Sequence, residues 1–401
     1  MKKIGYLCSE YPAISHTFIS REIEIIEKEG FEVITASINK TKNLEKMGKS
    51  DIERAGRTYF IKNESKVNIL KTVLKYKLFS PINYIKLISE TYKVSYKNGV
   101  KSLKKSIGYF VEAILLDNWA KKEGINHIHV HFANPAATVA MLAEKLGNIE
   151  FSLSVHGPDE FYNVDTNNLE EKINRAKFVR CISYFCQSQL MRLSQPENWS
   201  KFHIVRCGLR ADEFKAVEKK ESGNNILCVG RLCPSKGQVI LLEAVKLMKE
   251  RGKQFKLTLI GGGENVDLIK RKVEEYGLSE EVVVTGAVGH DRVREELANT
   301  DVFVLPSFAE GIPVALMEAM AMKIPVITTC ITGVPELIED RVDGYLVEPS
   351  NIIQLAETIT EVFENRDSLD ELKSKAAEKV RVKYDVEKNT RELAEIFKKN
   401  I

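Results

Sequence analysis

The sequence predicts an α/β protein of two Rossmann-like domains facing one another across a cleft. Three observations predict it. The chain has 401 residues, a length that suits two domains. Short apolar and β-branched runs alternate with helical patterns throughout, and strand, helix, strand at that pitch implies a parallel sheet. The alternation also falls into two series of similar size, parted near 210–225 by a charged, Gly-bearing stretch that includes "KAVEKKESGNN".

The first series opens with "KIGYLCS", a short strand. "SHTFISREIEIIEKEG" follows as a helix, with Ser15 as N-cap and Gly30 as its stop. "FEVITASI" is the next strand. "HIHVHF" is another, followed by a helix that begins near Pro135. "FSLSVHG", "FVRCIS" and "FHIVRCG" complete the set. Each ends in a polar loop, where open α/β sheets keep their ligands. The second series runs "ILCVGRL", a helix at 237–251, "FKLTLIGGG", a helix at 264–276, "VVVTGAV", a helix at 290–298, "DVFVLPS", a helix at 314–322 and "PVITT".

Composition narrows the function classes. At 44% apolar and 29% charged residues, the chain has the makings of an ample core. A net charge of +3 does not argue for nucleic acid. The seven cysteines are scattered, with no C-x2-C pair, which predicts reduced, buried thiols in a cytosolic protein. The opening "MKKIGYLCSEYPA" reads as a first strand and not as a signal peptide. No run approaches the roughly 18–20 apolar residues of a membrane-spanning helix. Residues 62–105, however, carry eleven lysines against Glu64 and Glu90, interleaved with apolar residues such as Leu70, Leu78, Phe79 and Tyr92. That pattern suits either an anionic membrane surface or a pair of solvated surface helices.

Four stretches carry candidate chemistry. In "GRLCPSKG" (230–237), Arg231 and Lys236 flank a tight loop between a strand and a helix. Two cations beside a helix N-terminus make a site for a doubly charged oxyanion, or else a surface turn with solvated charges. "LIGGGE" (259–264) is a second strand-to-glycine turn that allows close backbone approach. It is neither a G-x-G-x-x-G fingerprint nor a P-loop. In "VFVLPSFAEGIPVALMEAMAMKIPVI", Glu310 lies in the loop and Pro313 at the first helical position. Glu318 then sits inside an almost wholly apolar helix. A carboxylate there needs a partner, either a cation of its own domain or ligand hydroxyls such as those of a ribose. In "SVHGPDEF" (154–161), His156 and Asp159 stand at a strand C-terminus, and "VHF" places His131 similarly. A histidine so placed is either structural or a cleft residue. His131 and His156 do not make a metal pair on sequence grounds. No D-x-D is present to grip a nucleotide-bound metal.

In their order and spacing, "GRLCPSKG", "LIGGGE" and "PSFAEGIPVALMEAMAMKIPVITTCITGVPELIEDRVDGYLVEP" resemble the C-terminal domain of glycosyltransferase family four. "SEYPAISHTFISREI" and "VHGPDEF" resemble the bacterial exopolysaccharide or colanic-acid-type subgroup. The resemblance implies a GT-B fold and a retaining, metal-independent enzyme with a nucleotide-sugar donor, a UDP-sugar by preference, and no cofactor. It divides the chain into an acceptor-binding domain at 1–208, a nucleotide-sugar domain at 209–384 and a helix at 385–401 that crosses back to the first. By matching position, it gives Arg231 and Lys236 to the donor diphosphate and Glu318 to the ribose. Glu310, with main-chain N–H groups near Gly311 and Ile312, goes to the sugar hydroxyls. His156 would reach the sugar from the other domain. His156 and Glu310 are thus the catalytic candidates. Ser15, His16, His131 and Asp159 are acceptor or cleft candidates. His16 stands where the subgroup has glutamate in "SETF", and Ile312 where an aromatic residue or leucine is frequent. The implied acceptor is lipid-linked or a saccharide, met at the cytoplasmic face of the membrane through 62–105. A GT-B sugar-nucleotide epimerase and a non-catalytic GT-B-like subunit are the alternatives.

Overall fold

The structure, a computed structural model, describes residues 1–13, 17–41, 44, 47–97, 103–162, 164–165, 167–214 and 223–401. It divides into two compact units. One comprises Met1–Val205 with Glu387–Ile401, the other Arg206–Val386.

The first unit is built on β1 (Lys2–Glu10), β2 (Phe31–Asn39), β3 (Tyr59–Phe60), β4 (His127–His131), β5 (Glu150–Val155), β6 (Val179–Cys181) and β7 (Phe202–Ile204). These form one parallel sheet in the order β3-β2-β1-β4-β5-β6-β7. The pleat sends alternate side chains to opposite faces, and both faces are covered. Ile4, Tyr6 and Cys8 join Ile19, Ile23 and Phe397 in one apolar cluster. Leu7, Val130 and Leu153 join the helices Leu103–Glu123 and Pro135–Glu144 in the other. Asn134 caps the second of these helices by accepting from the Ala136 N–H at 3.0 Å, with Pro135 as its first residue. In β4 the same alternation puts His127, His129 and His131 on one face, all buried.

The second unit is built on β8 (Asn225–Val229), β9 (Lys256–Ile260), β10 (Val282–Gly286), β11 (Val302–Leu305), β12 (Val326–Thr329) and β13 (Tyr345–Val347). Its sheet is also parallel, in the order β10-β9-β8-β11-β12-β13. Two doubly wound sheets bear out the α/β, Rossmann-like reading of the sequence.

Some expectations change in detail. Pro313 is the N-cap of the helix Val314–Ala321, with an extended backbone, and not its first residue. All seven cysteines are free thiols, but Cys330 is exposed while the other six are buried. Three further helices, Lys49–Arg57, Lys66–Phe79 and Pro81–Lys97, precede Leu103–Glu123 in the first unit. Among the described residues, no helix is long and apolar enough to cross a membrane.

Candidate active site

In the second unit the strand order reverses between β8 and β11. Connections leaving those two strands run to opposite sides, and the crevice at their carboxyl ends is where such sheets bind ligands. The loops that leave them are the two that the sequence singled out.

Gly230–Gly237 follows β8. Its backbone is laid against the glycine turn after β9. Leu232 N–H donates to the Gly262 carbonyl and Asn265 N–H to the Leu232 carbonyl, both at 2.9 Å. A Cβ on Gly261 would stand 1.9 Å from the Gly230 oxygen, and one on Gly263 2.2 Å from the Leu232 oxygen. Both glycines also have positive φ, +152° and +153°. The "GGG" turn therefore exists to let the cationic loop lie flat against it. Gln238 Nε2 ties the loop to the helix Gln238–Glu250 by donating to the Arg231 carbonyl at 3.0 Å.

Pro306–Pro313 follows β11. Lys236 Nζ reaches Glu310 Oε1 at 2.5 Å, and Ser307 Oγ donates to the same oxygen at 2.7 Å. Thr332 Oγ1 donates to the Glu310 carbonyl and Thr329 Oγ1 to the Ser307 carbonyl, which pins the loop from below. Glu310 is 7% exposed and Glu318 5%. Glu318 lies in the middle of Val314–Ala321, whose other central residues are apolar and buried. Gly311 is half-buried and Ile312 buried. Arg231 is exposed and pairs with Glu264 at 2.9 Å, a contact of little energetic weight in water. Beneath the loops, burial pushes the Cys228 thiol up to about 12, against the pull of Lys236 and with that of Glu310. It stays protonated and is no nucleophile.

The structure thus joins Lys236 to Glu310, two residues 74 positions apart. An ammonium has three donors. Lys236 can keep Glu310 and still offer N–H groups to a second anion.

In the first unit, β4 and β5 run side by side with His131 opposite Ser154. Their ends bring His131 Nδ1 within 3.0 Å of His156 Nε2. Behind them lies a buried network. Glu22 Oε1 accepts from Tyr6 Oη at 3.0 Å and meets His131 Nε2 at 3.1 Å, and Arg180 Nη1 donates to Glu22 Oε2. Burial alone would raise the Glu22 pKa. The Arg180 guanidinium and His131 override it and hold the carboxyl well below the usual range. His129 meets Ser152 Oγ and Ser154 Oγ, each at 2.8 Å, and burial keeps it neutral. Glu22, His129 and His131 each bring one ligand-type atom within 4.8 Å of the others. Those atoms are already engaged in these hydrogen bonds, and Arg180 holds the cation position beside Glu22.

Asp159, singled out by sequence, is exposed, and the structural role falls to its neighbour Glu160. Glu160 Oε2 accepts from the N–H groups of His156 at 2.6 Å and Gly157 at 3.1 Å, and Glu160 Oε1 accepts from Ala133 N–H. Lys172 Nζ donates to the carbonyls of Ala133 and Asn134 at 3.0 Å each. Burial raises Glu160 to about 7 and lowers Lys172 to about 7. Sequence reasoning missed Glu22, Arg180, Glu160 and Lys172. The one available signal was charge inside apolar runs, as at Glu22 in "SREIEII". Ser15 and His16 lie outside the described residues.

Two doubly wound parallel sheets in series, with polar clusters at their strand carboxyl ends, define a GT-B-type α/β protein. Comparison with known proteins agrees. Over its whole length the chain superposes on the Anabaena protein HepE in complex with UDP-glucose, covering all of both chains with a TM-score of 0.76 at 17% identity. That likeness shows the fold. Residues 210–379 match the family model "Glycosyl transferases group 1". The chain is 30% identical to the putative colanic acid biosynthesis glycosyltransferase WcaL of Salmonella typhimurium over 67% of its own length and 69% of the relative's. To the protein of the same name from Escherichia coli K12 it is 27% identical over 98% and 99%. The chain belongs to the group 1 glycosyltransferases, a family of enzymes.

Proposed function

We propose that the protein is a retaining hexosyltransferase that moves a sugar from a UDP-sugar to a lipid-linked or polysaccharide acceptor during surface polysaccharide synthesis. The observation that carries the proposal is the Lys236–Glu310–Ser307 cluster at the strand-order reversal of the second unit. It sets a cation for phosphate beside a carboxylate for hydroxyls. The colanic acid relatives support the acceptor class, and the UDP-glucose complex of HepE supports the donor.

In this reading Arg231 and Lys236 hold the donor diphosphate, Glu318 accepts from the ribose hydroxyls, and Glu310 accepts from the sugar. As the bond from C1 to the diphosphate oxygen breaks, negative charge grows on the leaving group. Preorganised cations and loop N–H groups stabilise that charge. The acceptor oxygen bonds to C1 on the same face, and its proton passes to the departing phosphate. Glu310 binds hydroxyls and forms no covalent bond. The reading calls for no cofactor or metal beyond the nucleotide-sugar. His156 contacts the donor sugar.

The helices Lys66–Phe79 and Pro81–Lys97 support a peripheral site at the inner membrane face. Leu78, Phe79, Ile82 and Ile85 are 65–80% exposed, and Lys71, Lys75, Lys77 and Lys86 are exposed among them. A solvated helix pair has no reason to show so many large apolar side chains together.

The test is product analysis. The protein is incubated with UDP-sugars and a polyprenyl-linked saccharide extract. The expected outcome is free UDP and a new glycoside with retained anomeric configuration. An epimerised donor with no acceptor product would instead make the protein an epimerase. No turnover of any nucleotide-sugar would leave a non-catalytic subunit.

A further inference from the structure

Both donors of the Lys236–Glu310–Ser307 cluster go to one carboxylate oxygen. Lys236 Nζ and Ser307 Oγ meet Glu310 Oε1 at 2.5 and 2.7 Å. Among the described residues no hydrogen bond reaches Glu310 Oε2, and that atom still touches solvent. The two donors are not equivalent. The Lys236 side chain is 23% exposed and stands on a flexible four-carbon stem, and an arriving diphosphate competes for its three N–H groups. Ser307 is wholly buried, and it lies only three residues from Glu310 in the same loop. That loop is fixed from two directions. Thr329 Oγ1 holds the Ser307 carbonyl and Thr332 Oγ1 the Glu310 carbonyl, so hydroxyls grip both ends of the segment. Phe308 N–H donates to the Ser235 carbonyl at 2.8 Å, which stitches the segment to the loop of Lys236. Thr332 makes its contact from φ +46°, a left-handed backbone that a β-branched residue rarely adopts. Strain of that kind persists only where the surrounding contacts impose it.

We propose that Ser307 is a positioning residue: it holds Glu310 Oε1 from inside the fold, so that Oε2 stays directed at a hydroxyl of the donor sugar while Lys236 divides its donors between the carboxylate and the diphosphate. The proposal rests on the reading of Glu310 as the sugar contact. A glutamate side chain left free would give up rotamer freedom on meeting the sugar. Here the side chain is fixed before a ligand arrives, and preorganisation of this kind strengthens binding without a new contact. The serine hydroxyl never touches the ligand. It acts through the carboxylate alone.

A double-mutant cycle on the full chain tests it. UDP-glucose, UDP-galactose and UDP-N-acetylglucosamine are assayed with a polyprenyl-linked saccharide extract, and the donor that the wild type turns over best is kept. Ser307→Ala should lower kcat/KM for that donor about tenfold, while its Kd for UDP alone, read by calorimetry, stays within about twofold of wild type. Glu310→Ala should lose about 100-fold, and adding Ser307→Ala to it should cause no further loss. A loss as large in the Glu310→Ala background as in the wild type would mean that Ser307 acts without Glu310, and the proposal falls. It falls as well if UDP affinity drops by the same factor as turnover, or is lost with the fold, because the serine then only maintains the loop. Wild-type rates in Ser307→Ala overturn it and leave the sugar-contact reading of Glu310 standing. Wild-type rates in Glu310→Ala overturn that reading and the proposal with it, as does a wild type that turns over none of the three donors.

Discussion

Glu318 carries the sharpest expectation at the level of single residues. It sits in the centre of a short apolar helix and is 5% exposed. As a ribose ligand it would supply charge-assisted hydrogen bonds worth about 1.5–3 kcal/mol. Glu318→Ala should therefore weaken UDP binding about 10- to 100-fold, read by isothermal titration calorimetry. Unchanged affinity would sink the ribose assignment. The residues legible in the sequence were those held by local geometry: Lys236 and Glu310 each lie in a loop at a strand end, and the structure puts them in contact. The residues missed are those whose partners are remote. Glu22 and Arg180 are 158 positions apart, and no periodicity reports such a pair. Asp159 and Glu160 are neighbours with the same charge. Only the path of the loop decides that Glu160 turns inward to the His156 main chain.

Among the elements, the helices Lys66–Phe79 and Pro81–Lys97 give a second expectation. Among their described side chains, the buried ones are Thr72 and Tyr76 on the first and Leu87, Thr91, Val94 and Ser95 on the second. Tyr76 Oη donates to Asp117 at 2.5 Å, and Arg175 pairs with Glu90 at 3.0 Å, so each helix is tied to the rest of the first unit. Each lysine near an anionic surface contributes about 1 kcal/mol. Replacing Lys71, Lys75, Lys77 and Lys86 by Gln should lower affinity for phosphatidylglycerol vesicles by about two to three orders of magnitude. Vesicle sedimentation reads this directly. If the variant sediments like the wild type, this region is not the membrane contact. The sequence showed the lysines and the interleaved apolar residues, but not which of the apolar residues are core: Leu87 is fully buried, whereas Ile88 beside it is 47% exposed. Leu103–Glu123 escaped notice because its centre, residues 112–120, is buried on every side, with Glu112, Asp117 and Asn118 among the apolar residues, which leaves no 3.6-residue stripe to find.

For the whole molecule, the histidine-lined core of the first unit sets the response to acid. Burial is the main cause that depresses His127, to about 3, with Lys177 adding to it, and burial holds His129 well below its ordinary value. The unfolded chain protonates both near 6.5. Between about pH 6.5 and 3 the unfolded state therefore binds protons that the native state refuses, and stability falls as pH falls. Each histidine contributes about 1.4 kcal/mol per pH unit in that window. Below about 4.5 the depressed Glu22 adds a loss of the same sign, because it must be protonated against Arg180. Glu160, raised by burial to about 7, works the other way and contributes about 2 kcal/mol more stability at pH 5 than at pH 7. Urea unfolding of the protein should therefore show about 2 kcal/mol less stability at pH 5 than at pH 7. A flat profile would mean that these histidines are already charged in the fold. The two parallel sheets were legible because strands and helices alternate along the whole chain. The histidine core was only half legible. "HIHVHF" reads as a strand, but its three histidines do not declare that their face is the buried one.

The account turns on a nucleotide-sugar bound at the carboxyl ends of β8 and β11. The most direct measurement is a crystal structure of the protein with a UDP-sugar. The account predicts diphosphate oxygens within hydrogen-bond reach of Arg231 and Lys236, the ribose hydroxyls on Glu318 and the sugar against Glu310. A nucleotide bound elsewhere, or one whose phosphates touch neither cation, would contradict it.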